Sequence, residues 1–262
     1  MQEEETSVFE IDSRLKVFHC LGQGSHGKVF KAYNTQTKSY TAIKMIRKDS
    51  KELVTLQREV CVLQELKKTP GFPTIISFGT FKEFAYIEIE LLEYNLEQMK
   101  RDNGGSIKLQ TLHTLATSIL DRIRKLHSLG IIHRDIKPEN FMIKDDGLYM
   151  IDFGLSKNCV KNGKHIDYCE NKGLVGTIRY SSANTQLGIE QTRRDDLESI
   201  GYLLIYLYRG SLPWQNLPIK DKDERMKKIL DVKKSISLEK LCLGCPSEFV
   251  DYFKYVKSLS FT

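Results

Sequence analysis

The segment that most constrains this chain is the octapeptide His133-Arg134-Asp135-Ile136-Lys137-Pro138-Glu139-Asn140, followed a short way on by Asp152-Phe153-Gly154. Asp135 and Asn140 lie five apart, with Lys137 between them. One loop therefore offers a carboxylate, an ammonium and an amide. The carboxylate suits the orienting of a hydroxyl, the ammonium suits the neutralising of a moving phosphoryl group, and the amide oxygen can hold a hard cation. Asp152 adds a second oxygen ligand, and Mg²⁺ with nucleotide phosphates is the cation such a set fits. The bland alternative is a charged surface turn with an unrelated Asp-Phe-Gly, and the rest of the chain has to decide between them.

Upstream, Gly22, Gly24 and Gly27 have the spacing G-x-G-x-x-G, a weak signal alone. In a dinucleotide-binding fold the third glycine opens a helix. Here Lys28 to Tyr33 mixes apolar, basic and β-branched residues and reads as a strand. The glycines therefore join two strands, either as a phosphate-covering loop or as a plain hairpin. Thr41-Ala42-Ile43-Lys44 lies in the next apolar strand, and an interior lysine is costly unless a carboxylate pairs with it. Leu53, Leu56, Val60, Leu63 and Leu66 recur at helical spacing, predicting an amphipathic helix from about Lys51 to Lys67 that Pro70-Gly71-Phe72-Pro73 ends. Glu59, on the inward edge of that helix, is the expected partner of Lys44, with Glu52 on a similar face as the alternative.

Thr74 to Thr80 and Phe84 to Leu92 read as two further strands completing a small antiparallel sheet. Asn103 to Ser106 is a loop, after which Leu112, Leu115, Ile119, Ile123 and Leu126 trace a long helix leading to the octapeptide. Lys144 to Gly147 marks a short hairpin, which would hold Asn140 and Asp152 at its two ends, close enough to share metal ions. The stretch Arg194 to Ile205 begins polar and turns apolar on nearly every side, predicting a buried helix whose Asp196 accepts backbone hydrogen bonds from the octapeptide loop.

Composition narrows the setting. A chain of 262 residues makes one large domain or two lobes. The longest apolar run, Tyr202 to Tyr208, is far short of the ~18 residues that span a bilayer. The start, Met1-Gln2-Glu3-Glu4-Glu5, is acidic where a secretory signal is positive. An intracellular protein is expected, cytoplasmic with access to the nucleus, with no membrane partner. The net charge of +6 is too small to argue for nucleic acid but favours acidic or phosphorylated partners. Of six cysteines only Cys242 and Cys245 have a metal-like or redox-like spacing, and without a second pair they read as ordinary thiols.

The octapeptide, the glycines between strands and the strand lysine together resemble the protein kinases. Within them, Gly176 to Tyr180, Ser182-Ala183-Asn184, Leu187 to Gln191, Arg193 to Ser199 and Gly210 to Trp214 are similar to the casein kinase 1 family, over nearly the whole chain from about Phe9. That branch carries Ser-Ile-Asn where most kinases have Ala-Pro-Glu, and this chain departs only at Ala183. The resemblance implies an α+β, two-lobed kinase fold. Residues 1–91 would form a small antiparallel lobe with one main helix, and residues 92–262 a larger, mainly helical lobe.

It further implies a monomeric Ser/Thr protein kinase using ATP and Mg²⁺ on acidic or already phosphorylated proteins, active as a rule without activation-segment phosphorylation. Position by position, Gly22, Gln23, Gly24, Ser25, His26 and Gly27 would cover the phosphates. Val29 and Ala42 would lie at the adenine, Ile89 would guard the rear of the pocket, and Glu90 and Leu92 would offer hinge backbone. Lys44 would meet the α- and β-phosphates, held by Glu59. Asp135 would be the base, Lys137 would steady the γ-phosphate, and Asn140 and Asp152 would bind metal. Arg179, Arg225 and Lys222 would grip a substrate phosphate. Alternatively Lys222 and Arg225 are solvated charges and Arg179 braces its loop.

Departures from the family are His26 in place of Phe at the glycine-loop tip, a short activation segment, and Glu93-Tyr94-Asn95 after the hinge. The family's further C-terminal helices also lie beyond Thr262. The apolar stripe Phe249, Tyr252, Phe253 and Val256 is therefore expected to be under-covered, in a chain that is marginally stable, partnered or part of a longer product. The competing reading is a pseudokinase scaffold that binds nucleotide or partners without transfer. Such scaffolds lose the strand lysine, the base or the metal-binding aspartate, and all three are present. A nicotinamide oxidoreductase is disfavoured because no helix follows Gly27.

Overall fold

The computed structural model describes residues 8–24, 27–145 and 147–262, which form two compact units. The first runs to Glu93 and takes in Ile151–Gly154 as well; the second comprises Tyr94–Met150 and Leu155–Thr262.

The first unit is a six-stranded antiparallel sheet and one helix. Its strands are β1 (Phe9–Ile11), β2 (Leu15–Gly24), β3 (Gly27–Asn34), β4 (Ser39–Arg47), β5 (Ile75–Phe81) and β6 (Phe84–Glu90), in the order β1-β2-β3-β4-β6-β5. Side chains alternate across a strand, so the register decides which residues share a face. Val29 pairs with Lys44 and Lys44 with Ile87; Lys31 pairs with Ala42 and Ala42 with Ile89. Val29, Ala42, Lys44 and Ile89 therefore stand on one face. The other face packs Ile11, Leu15, Val17, Ala32, Ile43, Met45 and Tyr86 into a core edged by Phe9, Phe30, Phe81 and Phe84.

The helix, α1 (Leu53–Glu65), is two residues shorter at each end than its apolar spacing predicts, and buries Leu56, Glu59, Val62 and Leu63. Thr74 and Leu92, read as strand residues, fall outside β5 and β6.

The second unit is mainly helical. β7 (Tyr94–Asn95) leads into α2 (Leu96–Asp102), capped where Asn95 Oδ1 accepts a bond from Gln98 N at 2.9 Å. In α3 (Leu109–Ser128) the five periodic apolar residues, Leu112 to Leu126, are those that are buried. β8 (Ile131–Ile132) enters the octapeptide loop, and β9 (Phe141–Lys144) and β10 (Gly147–Met150) form the hairpin, with β7 added on β9. Two small ladders follow, β11 (Lys157–Asn158) on β8 and β12 (Val160–Lys161) on β13 (Lys164–His165). Then come α4 (Ala183–Gln186), α5 (Arg193–Arg209), α6 (Lys222–Ser235), α7 (Leu238–Leu241) and α8 (Glu248–Ser258).

As its composition predicts, α5 is buried at every position from Asp195 to Leu207 except Leu197. Its N-terminus is tied by Asp195, whose carboxylate accepts from the Thr192 amide at 2.8 Å and from Ser182 Oγ at 2.6 Å. The stripe on α8 is covered in part: Phe253 and Val256 are buried, while Phe249 and Tyr252 are half-buried, Tyr252 donating to the Leu197 carbonyl at 2.8 Å. The physical reason is Gly201, where any Cβ would stand 2.5 Å from the Phe253 ring, so α8 packs on a side-chain-free notch of α5. Among the described residues no helix is long and apolar enough to cross a membrane.

Candidate active site

In the first unit the site is built around Lys44. Its Nζ donates to Glu59 Oε2 at 2.6 Å and to Asp152 Oδ1 at 2.8 Å. The helix spacing thus selects Glu59 over Glu52, which bonds Ser50 instead. Burial draws the Lys44 pKa down, but the Glu59 and Asp152 carboxylates outweigh it and hold the ammonium above the ordinary lysine value. An ammonium has three protons, so two carboxylates leave one donor for a third oxygen. Asp152 has a φ of 63°, a left-handed backbone that non-glycine residues adopt at a cost. Phe153 fixes that turn by packing on Phe72, with ring centroids 6.0 Å apart.

Of the nucleotide-contacting residues expected from the sequence, Gly22, Gln23 and Gly24 end β2, and Gly27 and Val29 begin β3. Gly27 needs to be glycine: its φ is 109° and a Cβ would stand 2.5 Å from the Met45 carbonyl. Ser25 and His26 lie outside the described residues. Ala42 and Ile89 share the face of Lys44. Glu90 closes β6, its amide donating to the Thr74 carbonyl at 3.2 Å, and Leu92 is buried just beyond. A cavity of about 600 Å³ also opens beside Gly24 and Gly27, but Phe9, Phe30, Phe81 and Phe84 line much of it, its cations are Lys28, Arg47 and Lys82, and Lys44 is not among its lining.

In the second unit the octapeptide loop is fixed by α5. The buried Asp196 carboxylate accepts from the His133 amide at 2.8 Å, the Arg134 amide at 2.9 Å and His127 Nε2 at 2.9 Å. Burial pushes this carboxyl up, but the His127 and His133 bonds prevail and hold it below the ordinary aspartate value. With both amides bound, Arg134 tolerates a φ of 69°.

Asp135 is then presented with each oxygen engaged. Thr177 Oγ1 donates to Oδ1 at 2.7 Å and Lys137 Nζ to Oδ2 at 2.6 Å. Asn140 Nδ2 donates to the Asp135 carbonyl at 2.8 Å, which leaves the Asn140 amide oxygen as the end available to a cation. Gly176 makes the Thr177 contact possible. Its φ is 98°, and a Cβ there would run into the Arg134 carbonyl. The sequence names Gly176 and Thr177 only through a family motif; nothing local announces that they meet a loop 42 residues away.

Arg179 and Arg225 come together. They line one cavity of about 480 Å³ with Thr177, Tyr180, Trp214 and Glu139. Lys222 opens α6, exposed, and does not line it.

The sequence matches the protein kinase domain over residues 15–251. The chain therefore belongs to the protein kinase domain family, and its first unit and second unit carry that family's sheet lobe and helical lobe. Kinase function and ATP binding follow from the family, which generally uses ATP with Mg²⁺. The residues present fit those groups. Lys44 keeps a donor for phosphate, and Asn140 keeps an oxygen. Among the described residues no group of three or more His, Cys, Asp or Glu forms a self-sufficient metal cage.

Proposed function

We propose that this chain is an active Ser/Thr protein kinase of the casein kinase 1 type, which transfers the γ-phosphoryl of ATP to serine or threonine in acidic or pre-phosphorylated proteins. The observation that carries this reading is the Asp135 carboxylate, set between the Thr177 hydroxyl at 2.7 Å and the Lys137 ammonium at 2.6 Å. In transfer, the substrate hydroxyl oxygen bonds the γ-phosphorus, the bond from that phosphorus to the ADP oxygen breaks, and the hydroxyl proton passes to Asp135. Thr177 and Asn140 hold the carboxylate in orientation, Lys137 neutralises the transferring group, and Lys44 meets the α- and β-phosphates. Asn140 and Asp152 are the residues that would each offer Mg²⁺ an oxygen, and the metal would supply neutralisation of phosphate charge. A scaffold without activity would have no reason to keep every one of these groups in hydrogen-bonded register.

For substrate choice, the support is the cavity shared by Arg179 and Arg225, since guanidinium forks bind phosphate bidentately and stay charged at any relevant pH. Lys222, in the first turn of the same helix, would add longer-range attraction.

The deciding experiment incubates the protein with labelled ATP, Mg²⁺ and casein. Wild type should place phosphate on serine, and Asp135→Asn should lower kcat by ~10²-fold or more while leaving nucleotide affinity nearly intact. ATP binding without transfer by wild type would favour the scaffold; a variant with more than about a tenth of wild-type kcat would remove Asp135 as the base.

A further inference from the structure

α6 carries a buried lysine that no motif singles out. Lys233 is buried, with 2% of its surface exposed, in a helix whose other lysines face solvent. A buried amine needs hydrogen-bond acceptors, and Lys233 Nζ, whose pKa burial draws down to about 7, donates to the Ile178 carbonyl at 2.8 Å and the Ser181 carbonyl at 2.6 Å. Its head also lies 5.0 Å from the Trp214 ring centroid and 5.3 Å from that of Tyr202. Trp214 in turn donates its Nε1 to the Arg179 carbonyl at 2.8 Å, and Gln186 Nε2 reaches the Ile178 carbonyl at 3.0 Å. The carbonyls of residues 178, 179 and 181 are thus all held by side chains from outside the segment, and Arg179 is the residue they enclose.

Helical spacing makes the consequence specific. Arg225, Ile229 and Lys233 follow one another at four-residue intervals and form one stripe of α6. Arg225 and Ile229 line the same cavity as Arg179. Lys233 bonds the backbone on either side of Arg179. The same stripe therefore carries one arginine of the pair and anchors the other.

We infer that Lys233 is a positioning residue that sets the spacing of Arg179 and Arg225, and so determines discrimination for a phosphorylated side chain. It touches no substrate itself. The inference rests on the reading of this cavity as a phosphate subsite, and it adds the group on which that subsite depends.

The test uses the full chain and two peptides, one with phosphoserine a few residues before the target serine and its unphosphorylated twin. The readout is the ratio of kcat/KM for the two; general loss of stability lowers both values alike and leaves their ratio unmoved. Wild type should prefer the phosphorylated peptide at least tenfold. Lys233→Met and the milder Lys233→Gln should cut that ratio about tenfold, and Lys233→Arg, which restores a charged donor, should recover most of it. Hydrogen exchange provides a second, substrate-free reading. The amides of Tyr180 and Ser181, which donate to the Thr177 carbonyl at 2.9 and 3.0 Å, should exchange at least tenfold faster in Lys233→Gln.

Equal use of both peptides by wild type would overturn the phosphate subsite, and the exchange rates would then decide the anchoring role alone. A wild-type ratio retained in Lys233→Gln, or amides exchanging at the wild-type rate in it, would overturn the assignment of Lys233.

Discussion

At the scale of single residues, the site depends on charges that are paired before any ligand arrives. Lys44 is the clearest case, because two carboxylates converge on one buried ammonium. Removing a partner from a buried pair costs ~3–5 kcal/mol where the remaining charge is left alone. Here Asp152 remains, so Glu59→Gln should cost less than about 3 kcal/mol of stability, seen as a lower urea midpoint with an unchanged slope. Its effect on function should be larger, since Lys44 then swings toward Asp152. We expect kcat/KM for ATP to fall at least tenfold. An unchanged kcat/KM would show that the Lys44–Glu59 contact is structural only. Glu59 was legible from the sequence because a helix repeats every 3.6 residues and the buried face follows from its leucines. Asp152 as the second partner was not, because residues 108 apart share no local pattern.

At the scale of elements, the most informative contact is α8 on α5. An apolar stripe shows that a helix needs cover but not where the cover lies. Gly201 supplies it, and in sequence it is one glycine within an apolar run. Replacing it with alanine tests the fit. Helix propensity favours alanine by roughly 1 kcal/mol, whereas overpacking costs ~1–3 kcal/mol. The Phe253 ring atoms 2.5 and 2.9 Å from the added Cβ put the balance on the side of overpacking. Gly201→Ala should therefore destabilise by about 1–2 kcal/mol. In a Phe253→Ala background the same change should be neutral or stabilising, because the clash has gone. Equal loss in both backgrounds would mean that Gly201 does not accommodate Phe253.

At the scale of the whole molecule, nucleotide should act as a stabilising ligand. A ligand at 100 times its Kd adds ~2.7 kcal/mol to the folded state, which for a chain of this size raises Tm by roughly 5–10 °C. Mg²⁺ with ATP should produce that shift in a thermal melt. EDTA should remove most of it, and Lys44→Met should blunt it at equal nucleotide concentration. A melt indifferent to Mg²⁺ and ATP would contradict the nucleotide site, whatever the fate of the protein substrate.

What the sequence determined by itself was whatever depends on spacing along the chain. This includes the main strands of the sheet, the five buried positions of α3, the Glu59 face of α1, the octapeptide loop and its ligation by Asp196. These follow from two periodicities and from the need of buried polar groups for partners, both of which are local. Tertiary structure alone decided which distant groups meet. It brought Thr177 to Asp135 through the glycine before it, Asp152 to Lys44, Arg225 to Arg179 but not Lys222, and the buried Lys233 to carbonyls more than fifty residues away. The reason is physical: a lysine in a polar helix looks the same in sequence whether its ammonium meets water or two carbonyls, and only packing of the whole chain chooses between them.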